Sequence, residues 1–151
     1  MAPPTTPELV DVHRTAAERL QADGQRFTGG RRTLVDTLVR TDRPLTIAEI
    51  LARVDGLAQS SAYRNLAVLE RAGVVRRVVG ADEFARFELA EGLTEHHHHL
   101  ICSECGQVVD FALDPEVESA LESALGRVAH DGGFTVESHR LDLLGVCDAC
   151  A

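Results

Sequence analysis

Lysine and tryptophan are missing from this chain of 151 residues. All 15 basic residues are therefore Arg, a bias of usage that carries no chemistry by itself. Aromatic content is 4%, so no core can rest on large rings. No apolar run approaches the roughly 20 residues that a membrane span requires. The opening Met-Ala-Pro-Pro-Thr-Thr-Pro lacks an apolar signal core, which predicts a cytoplasmic chain. Neither a nucleophile elbow nor a phosphate loop is present. A zinc deaminase pairs His-x-Glu with a Pro-preceded C-x-x-C, and here His99-Leu-Ile101 lacks the Glu and no Pro precedes either C-x-x-C. These absences point away from an enzyme and from a small-molecule substrate.

Cysteine is scarce too, but its placement is informative. The 4 cysteines form two matched pairs, Cys102-Ser-Glu-Cys105 and Cys147-Asp-Ala-Cys150, with none to spare. A cytosolic chain keeps thiols reduced, so such pairs read as a metal site rather than as disulfides. Four thiolates complete a tetrahedral zinc site and leave no open position, which makes it structural. Gly106 supplies the permissive backbone that a Cys-x-x-Cys-Gly knuckle needs.

Net charge is −9, yet it is unevenly spread. Residues 1–80 carry 12 Arg against 9 acidic groups, and residues 81–151 carry 3 Arg against 15. Such a split predicts two domains with different partners, phosphate for the first and cations for the second.

In the first half, residues 1–7 hold three prolines and read as a loose tail. Helices are expected over 12–22, 31–40, 47–54 and 62–72, with Thr28-Gly-Gly30 as a break between the first two. Thr46 and Glu49 have the capping-box spacing, and Ser60 or Ser61 is the expected cap of the last helix. Residues 74–79 and 84–89 then read as a hairpin around Gly80-Ala-Asp82. Helices followed by a hairpin is the winged helix-turn-helix order. Its later helix enters the major groove by its N-terminal residues, here Gln59, Ser60, Ser61, Tyr63 and Arg64. Those side chains suit phosphates and base edges.

In the second half, residues 99–102 and 107–111 read as strands joined by the knuckle. Asp114-Pro115 is a strong helix start, and Val117, Leu121, Ala124, Leu125 and Val128 form an apolar stripe running toward His130. Residues 134–144 read as a third strand or strand pair. Before the first Cys pair stand His96, His97, His98 and His99. Neighbouring side chains on an extended chain point to opposite faces. His96 and His98 therefore share one face, and His97 and His99 the other, so one strand can serve two metal sites. Glu118 and His139 can complete the first; Glu88 and Asp110 are candidates for the second. Imidazole and carboxylate suit Zn, Fe, Mn or Ni.

As a set, Glu95-His-His-His-His-Leu-Ile-Cys-Ser-Glu-Cys-Gly106, Ser61-Ala-Tyr-Arg64, Ser138-His139 and the closing C-x-x-C resemble the ferric uptake regulator (Fur) superfamily, over about residues 13–151. The resemblance extends toward its zinc-uptake branch. It implies an α+β chain: a winged helix-turn-helix over 1–90, a hinge over 91–95, and a small α/β dimerisation domain over 96–151 with a three-stranded antiparallel sheet. It also implies a cytoplasmic homodimeric repressor that binds palindromic operator DNA when loaded with a regulatory divalent metal, zinc first, then iron or manganese. By position, Cys102, Cys105, Cys147 and Cys150 resemble structural zinc ligands. His96, His98, Glu118 and His139 resemble the dimerisation-domain site; His97, His99, Glu88 and Asp110 resemble the interdomain site. Tyr63 and Arg64 resemble recognition-helix residues, and Arg31 the basic residue before them. The chain departs from the zinc-uptake pattern where Arg76 stands in place of an Asp, and where Ala90 and Glu91 stand in place of a Cys. Glu83 and His13 are further candidates for the interdomain site. A DNA-binding regulator with structural zinc only is the alternative.

Overall fold

Leu34, Val35 and Leu38 recur at helical spacing in the sequence, and all three are buried on one face of a helix. The computed structural model describes residues 9–151, with side chains from Asp11 onward. The expected loose tail, residues 1–7, lies outside the described residues.

The N-terminal half contains α1 (Leu9–Ala22), α2 (Gly29–Val39), β1 (Leu45–Thr46), α3 (Ile47–Leu51), α4 (Gln59–Arg71), β2 (Val75–Val79) and β3 (Ala85–Leu89). The two glycines expected to break the chain are instead the first turn of α2, after Thr28 at the N-cap. The lack of a side chain at Gly30 lets α4 approach, since a Cβ there would lie 3.3 Å from the Asn65 side-chain nitrogen. Helix α3 is shorter than its pattern, but its capping box forms. Thr46 Oγ1 accepts from the Glu49 backbone N–H, and Glu49 Oε2 accepts from the Thr46 N–H at 2.8 Å. Helix α4 starts earlier than expected, with Ala58 at its N-cap and no side-chain cap, so neither Ser60 nor Ser61 has that role.

Strands β2 and β3 form the hairpin, and the short β1, unforeseen in the sequence, pairs with β3 to give the order β1-β3-β2, all antiparallel. One apolar core joins these elements, with Leu20, Leu34, Leu45, Ile50, Leu66 and Leu69 fully enclosed. Burying each contributes about 1.5–3 kcal/mol. Leu93, in the expected hinge, is part of the same core, so the chain leaves this half with its connection pinned.

The remainder contains β4 (His98–Cys102), β5 (Val108–Phe111), α5 (Pro115–Asp131) and β6 (Asp142–Gly145). Asp114 caps α5 by accepting from the Glu116 N–H, with Pro115 in the first turn. Strands β4 and β5 are antiparallel as expected, whereas β6 runs parallel to β4 on its other edge. Strand β5 and helix α5 intervene between β4 and β6, and parallel neighbours need a long connection of this kind. Residues 134–141 are not strand, and only the last part of the expected third strand is paired.

The two halves meet face to face. Val78 of β2 packs with Ile101 and Val108 in a small buried cluster. At the turn beyond β2, Asp82 lies against Gly106, leaving no room there for a Cβ.

Candidate metal centres

Among the described residues, three groups of His, Cys, Asp or Glu bring four ligand atoms within 4.8 Å of one another. They are Cys102, Cys105, Cys147 and Cys150; His96, His98, Glu118 and His139; and Glu88, His97, His99 and Asp110. The structure brings these twelve of the sequence's candidates together. Glu83 and His13, the further candidates, do not join. Glu83 is exposed in the hairpin turn with φ 63°, and His13 is turned toward Asp36 and Arg32 of α2.

The cysteines lie where β4 ends and β6 has just ended. Because these strands run parallel, Cys102 and Cys147 arrive at the same end of the sheet. The Cys147 N–H points at Cys102 Sγ at 3.4 Å, and Cys105 Sγ lies 3.8 Å from Cys147 Sγ. A tetrahedral ion with sulfur at about 2.3 Å gives a ligand–ligand edge of about 3.8 Å, whereas a disulfide needs about 2.05 Å. All four thiols are free. Backbone N–H groups of Cys105 and Cys147 draw the Cys102 thiol down to about 6. Cys150, sharing hydrogen bonds with Cys147 and Cys105, is pushed up to about 12.

The second group faces α5. Glu118, in the first turn, approaches His98 Nε2 at 2.8 Å, His139 Nε2 at 2.9 Å and His96 Nε2 at 3.2 Å. His96 and His139 present Nε2 to each other at 3.2 Å. Glu118 Oε1 is buried yet has no hydrogen-bond partner, despite two imidazoles within reach. These atoms converge on a shared point more than they pair. Nitrogen and oxygen ligands at about 2.0–2.1 Å from a tetrahedral ion would be about 3.3 Å apart, close to what is seen. On the far side of the ring, His96 Nδ1 meets Glu91 at 2.7 Å, which favours a proton on Nδ1 and a lone pair on Nε2. Burial opposes charge on Glu118, but the His98 hydrogen bond and the other imidazoles hold its carboxyl below the usual range.

The third group spans the two halves. Glu88 comes from β3, His97 from just before β4, His99 from β4 and Asp110 from β5. Glu88 Oε2 lies 3.2 Å from His97 Nε2 and 3.1 Å from His99 Nε2. Asp110 is farther, 3.9 and 3.7 Å from the same nitrogens, and its buried Oδ1 has no partner. The opposite ring nitrogens are oriented by Glu95 O at 2.9 Å from His97 and by Asp142 at 3.1 Å from His99. Burial opposes charge on Glu88, but hydrogen bonds from His97 and His99 and the neighbouring Arg76 outweigh it and hold the carboxyl well below the usual range. Burial and the Glu88 charge push Asp110 up to about 6. Residue types and the orphaned Asp110 oxygen fit a cation. One group was not foreseen here: Arg76, directly opposite Glu88 in the β2–β3 register, forms an ion pair with it. Its only sequence signal was a positive charge where the zinc-uptake pattern that the chain resembles has an Asp. Asp142 and Glu91, which orient imidazoles, carried no signal by spacing.

The start of α4 presents Gln59, Ser60, Tyr63 and Arg64 to solvent, with Ser61 partly covered. Arg31 is less free. Its guanidinium donates to Arg26 O at 2.6 Å, Gln25 Oε1 at 3.2 Å and Asn65 Oδ1 at 3.3 Å, bracing α2 on α4.

Comparison with known proteins agrees with this geometry. The ferric uptake regulator family matches over residues 22–144. The peroxide operon regulator of Bacillus subtilis is 32% identical over 91% of this chain and 92% of its own length. The ferric uptake regulation protein of Bordetella parapertussis is 34% identical over 84% and 90%. The solved ferric uptake regulator of Helicobacter pylori, described as having three functional metal binding sites, superposes with a TM-score of 0.74 at 25% identity, covering 96% of this chain and 95% of that one.

Proposed function

Because the chain belongs to the ferric uptake regulator family, a family of transcription regulators rather than enzymes, we propose that it is a metal-dependent repressor that binds palindromic operator DNA as a cytoplasmic homodimer. The observation that carries the metal dependence is the division of one histidine run into two carboxylate-completed groups, one of which joins the two halves of the chain. Residues 1–90 form the DNA-binding domain, 91–95 the hinge and 96–151 the dimerisation domain.

Cys102, Cys105, Cys147 and Cys150 hold structural zinc. His96, His98, Glu118 and His139 hold a metal within the dimerisation domain. Glu88, His97, His99 and Asp110 are the interdomain site. When bound, a divalent ion, zinc first and then iron or manganese, supplies charge that both carboxylates and imidazoles can share. Glu88 brings the wing to that charge, and the histidines bring the second domain. Only differential affinity for one domain angle can couple this to DNA, because equal affinity would shift nothing.

In the dimer the angle sets the spacing of two α4 helices against half-sites about one turn apart. Gln59, Ser60, Ser61, Tyr63 and Arg64 make the contacts, with Arg31 bracing the helix. Support for a dimer comes from apolar side chains left uncovered. No residue of α5 is buried, and Val117, Val128, Phe134, Leu143 and Leu144 are exposed. A cavity of about 250 Å³ with an apolar lining that includes Leu100, Val109 and Leu144 opens on the sheet. No described helix is long and apolar enough to cross a membrane.

The second reading, structural zinc without sensing, is favoured by one observation, the Arg76–Glu88 ion pair inside the interdomain group. Metal content separates the two: one tight zinc per subunit supports that reading, and two or more sites support sensing. Gel-shift titration with each metal and with chelator tests the consequence. Operator binding indifferent to every metal would sink the sensing reading. His96→Ala with His98→Ala should spare the fold and weaken metal-dependent binding.

A further inference from the structure

Arg76 projects from β2 of the wing into the group formed by Glu88, His97, His99 and Asp110. Its Nε donates to Glu88 Oε1, and its Nη2 lies 3.2 Å from His97 Nε2. The opposite nitrogen of that ring faces the Glu95 carbonyl at 2.9 Å, an acceptor that fixes the proton on Nδ1. His97 Nε2 faces both the Arg76 guanidinium and Glu88 Oε2, each at 3.2 Å. That nitrogen is the one a metal ion would need. Glu88 has two oxygens and can serve Arg76 through Oε1 and another cation through Oε2. His97 has no such choice.

Two further facts give this contact weight. Arg76 belongs to the wing and His97 to the second half, so their hydrogen bond crosses between the halves, beside the Val78–Ile101–Val108 cluster. The surroundings also enclose the charge: His97 and Glu88 are buried and Arg76 is largely covered, so repulsion between a guanidinium and a divalent ion would be poorly screened.

We propose that Arg76 is a built-in competing cation of the interdomain group, clamping the wing to His97 in the metal-free chain and withdrawing from His97 when metal binds there. The inference rests on reading this group as the interdomain metal site. It deepens that reading by giving the site a high threshold: metal must exceed the level at which it outcompetes a tethered guanidinium. Arg76 is a positioning residue toward Glu88 and a competitor toward His97.

The test uses full-length protein holding its structural zinc, with His139→Ala in every sample to weaken the neighbouring group. Zinc and manganese affinities are measured by chelator competition in the Arg76 parent, Arg76→Gln and Arg76→Lys. Gln keeps an N–H donor for Glu88 without the charge; Lys keeps charge but loses the fork that reaches His97. We expect Arg76→Gln to bind about tenfold or more tightly, because like-charge repulsion is removed. Arg76→Lys should stay near the parent. Hydrogen exchange of the amides of residues 95–99, without added metal, reads the clamp separately. Both variants should exchange faster than the parent. Equal or weaker metal binding by Arg76→Gln overturns the competition, and unchanged exchange overturns the clamp. If no sample takes metal beyond the structural zinc, the interdomain site itself fails, and competition with it, while exchange still decides the clamp.

Discussion

Asp82 and Gly106 touch across the two halves of the chain: the Asp82 carboxylate, held by two hydrogen bonds from Arg86, fills the space that a Cβ at position 106 would need. Gly106 also sits at φ +70°, where a side chain is strained regardless of space. Gly106→Ala therefore meets two costs, together about 1–3 kcal/mol. Denaturant unfolding should show the loss. Adding Asp82→Ala should restore the part due to collision and not the part due to backbone strain, so the two changes will not be additive. Additive costs would mean that the contact is not maintained in solution.

Cys102→Ser should remove zinc from the chain and unfold the second half selectively. Structural zinc contributes on the order of 10 kcal/mol in small modules, and the β4–β6 end has little apolar cover to replace it. Metal analysis should fall by one zinc per subunit. The helical signal of α1–α4 should persist, because their core is separate. Retention of full zinc content in the variant would contradict the four-thiolate assignment.

Arg64 is exposed at the start of α4, so Arg64→Ala should leave the melting temperature nearly unchanged. Operator affinity should fall by about 1–3 kcal/mol if Arg64 reads a base edge, with specificity relaxed at that position. A uniform loss across sequences with a shallower salt dependence would identify a phosphate contact instead. No effect on either would remove Arg64 from the interface.

Glu49 gives the winged half an acid sensitivity of defined sign. The Arg43 hydrogen bond, at 2.6 Å, leads the causes that bring its carboxyl down to about 2, aided by the Thr46 cap. Its folded value lies below the unfolded value of about 4.3, so its contribution is present above that pH. It is lost as pH falls toward about 2. Glu49→Gln should be less stable than the parent at pH 6, by about 1 kcal/mol given the partial exposure of the pair. The difference should shrink through the window from about 4.3 downward and vanish near its lower end. A difference that stays constant with pH would rule out this account.

The division of the histidines between two ligand clusters was legible in the sequence because it rests on the shortest-range rule of the fold. Alternation put His96 and His98 on one face and His97 and His99 on the other, and it holds even though His96 and His97 precede the strand. The capping box of α3 was legible for the same reason, since both partners lie within one helical turn. Sheet direction was not. Residues 134–144 alternate enough to suggest strand, but only β6 found an edge, and its parallel course depends on where α5 carries the chain. Nor was the Arg76 contact. Its neighbours Glu88 and His97 are 12 and 21 residues away, and no local pattern reports that a guanidinium will meet an imidazole from the other half of the chain. The apolar stripe of α5 was legible as a stripe, while its exposure in a single chain was not.

The parallel pairing of β6 with β4 has a consequence for synthesis. Cys102 and Cys105 leave the ribosome 45 and 42 residues before Cys147. Until β6 has emerged and found the far edge of β4, the early knuckle can offer an ion only two sulfurs. A nascent chain therefore cannot lock its zinc early, and the metal seals the domain only once translation has passed Cys150. A chain cut short before Cys147 would lack two of the four sulfurs.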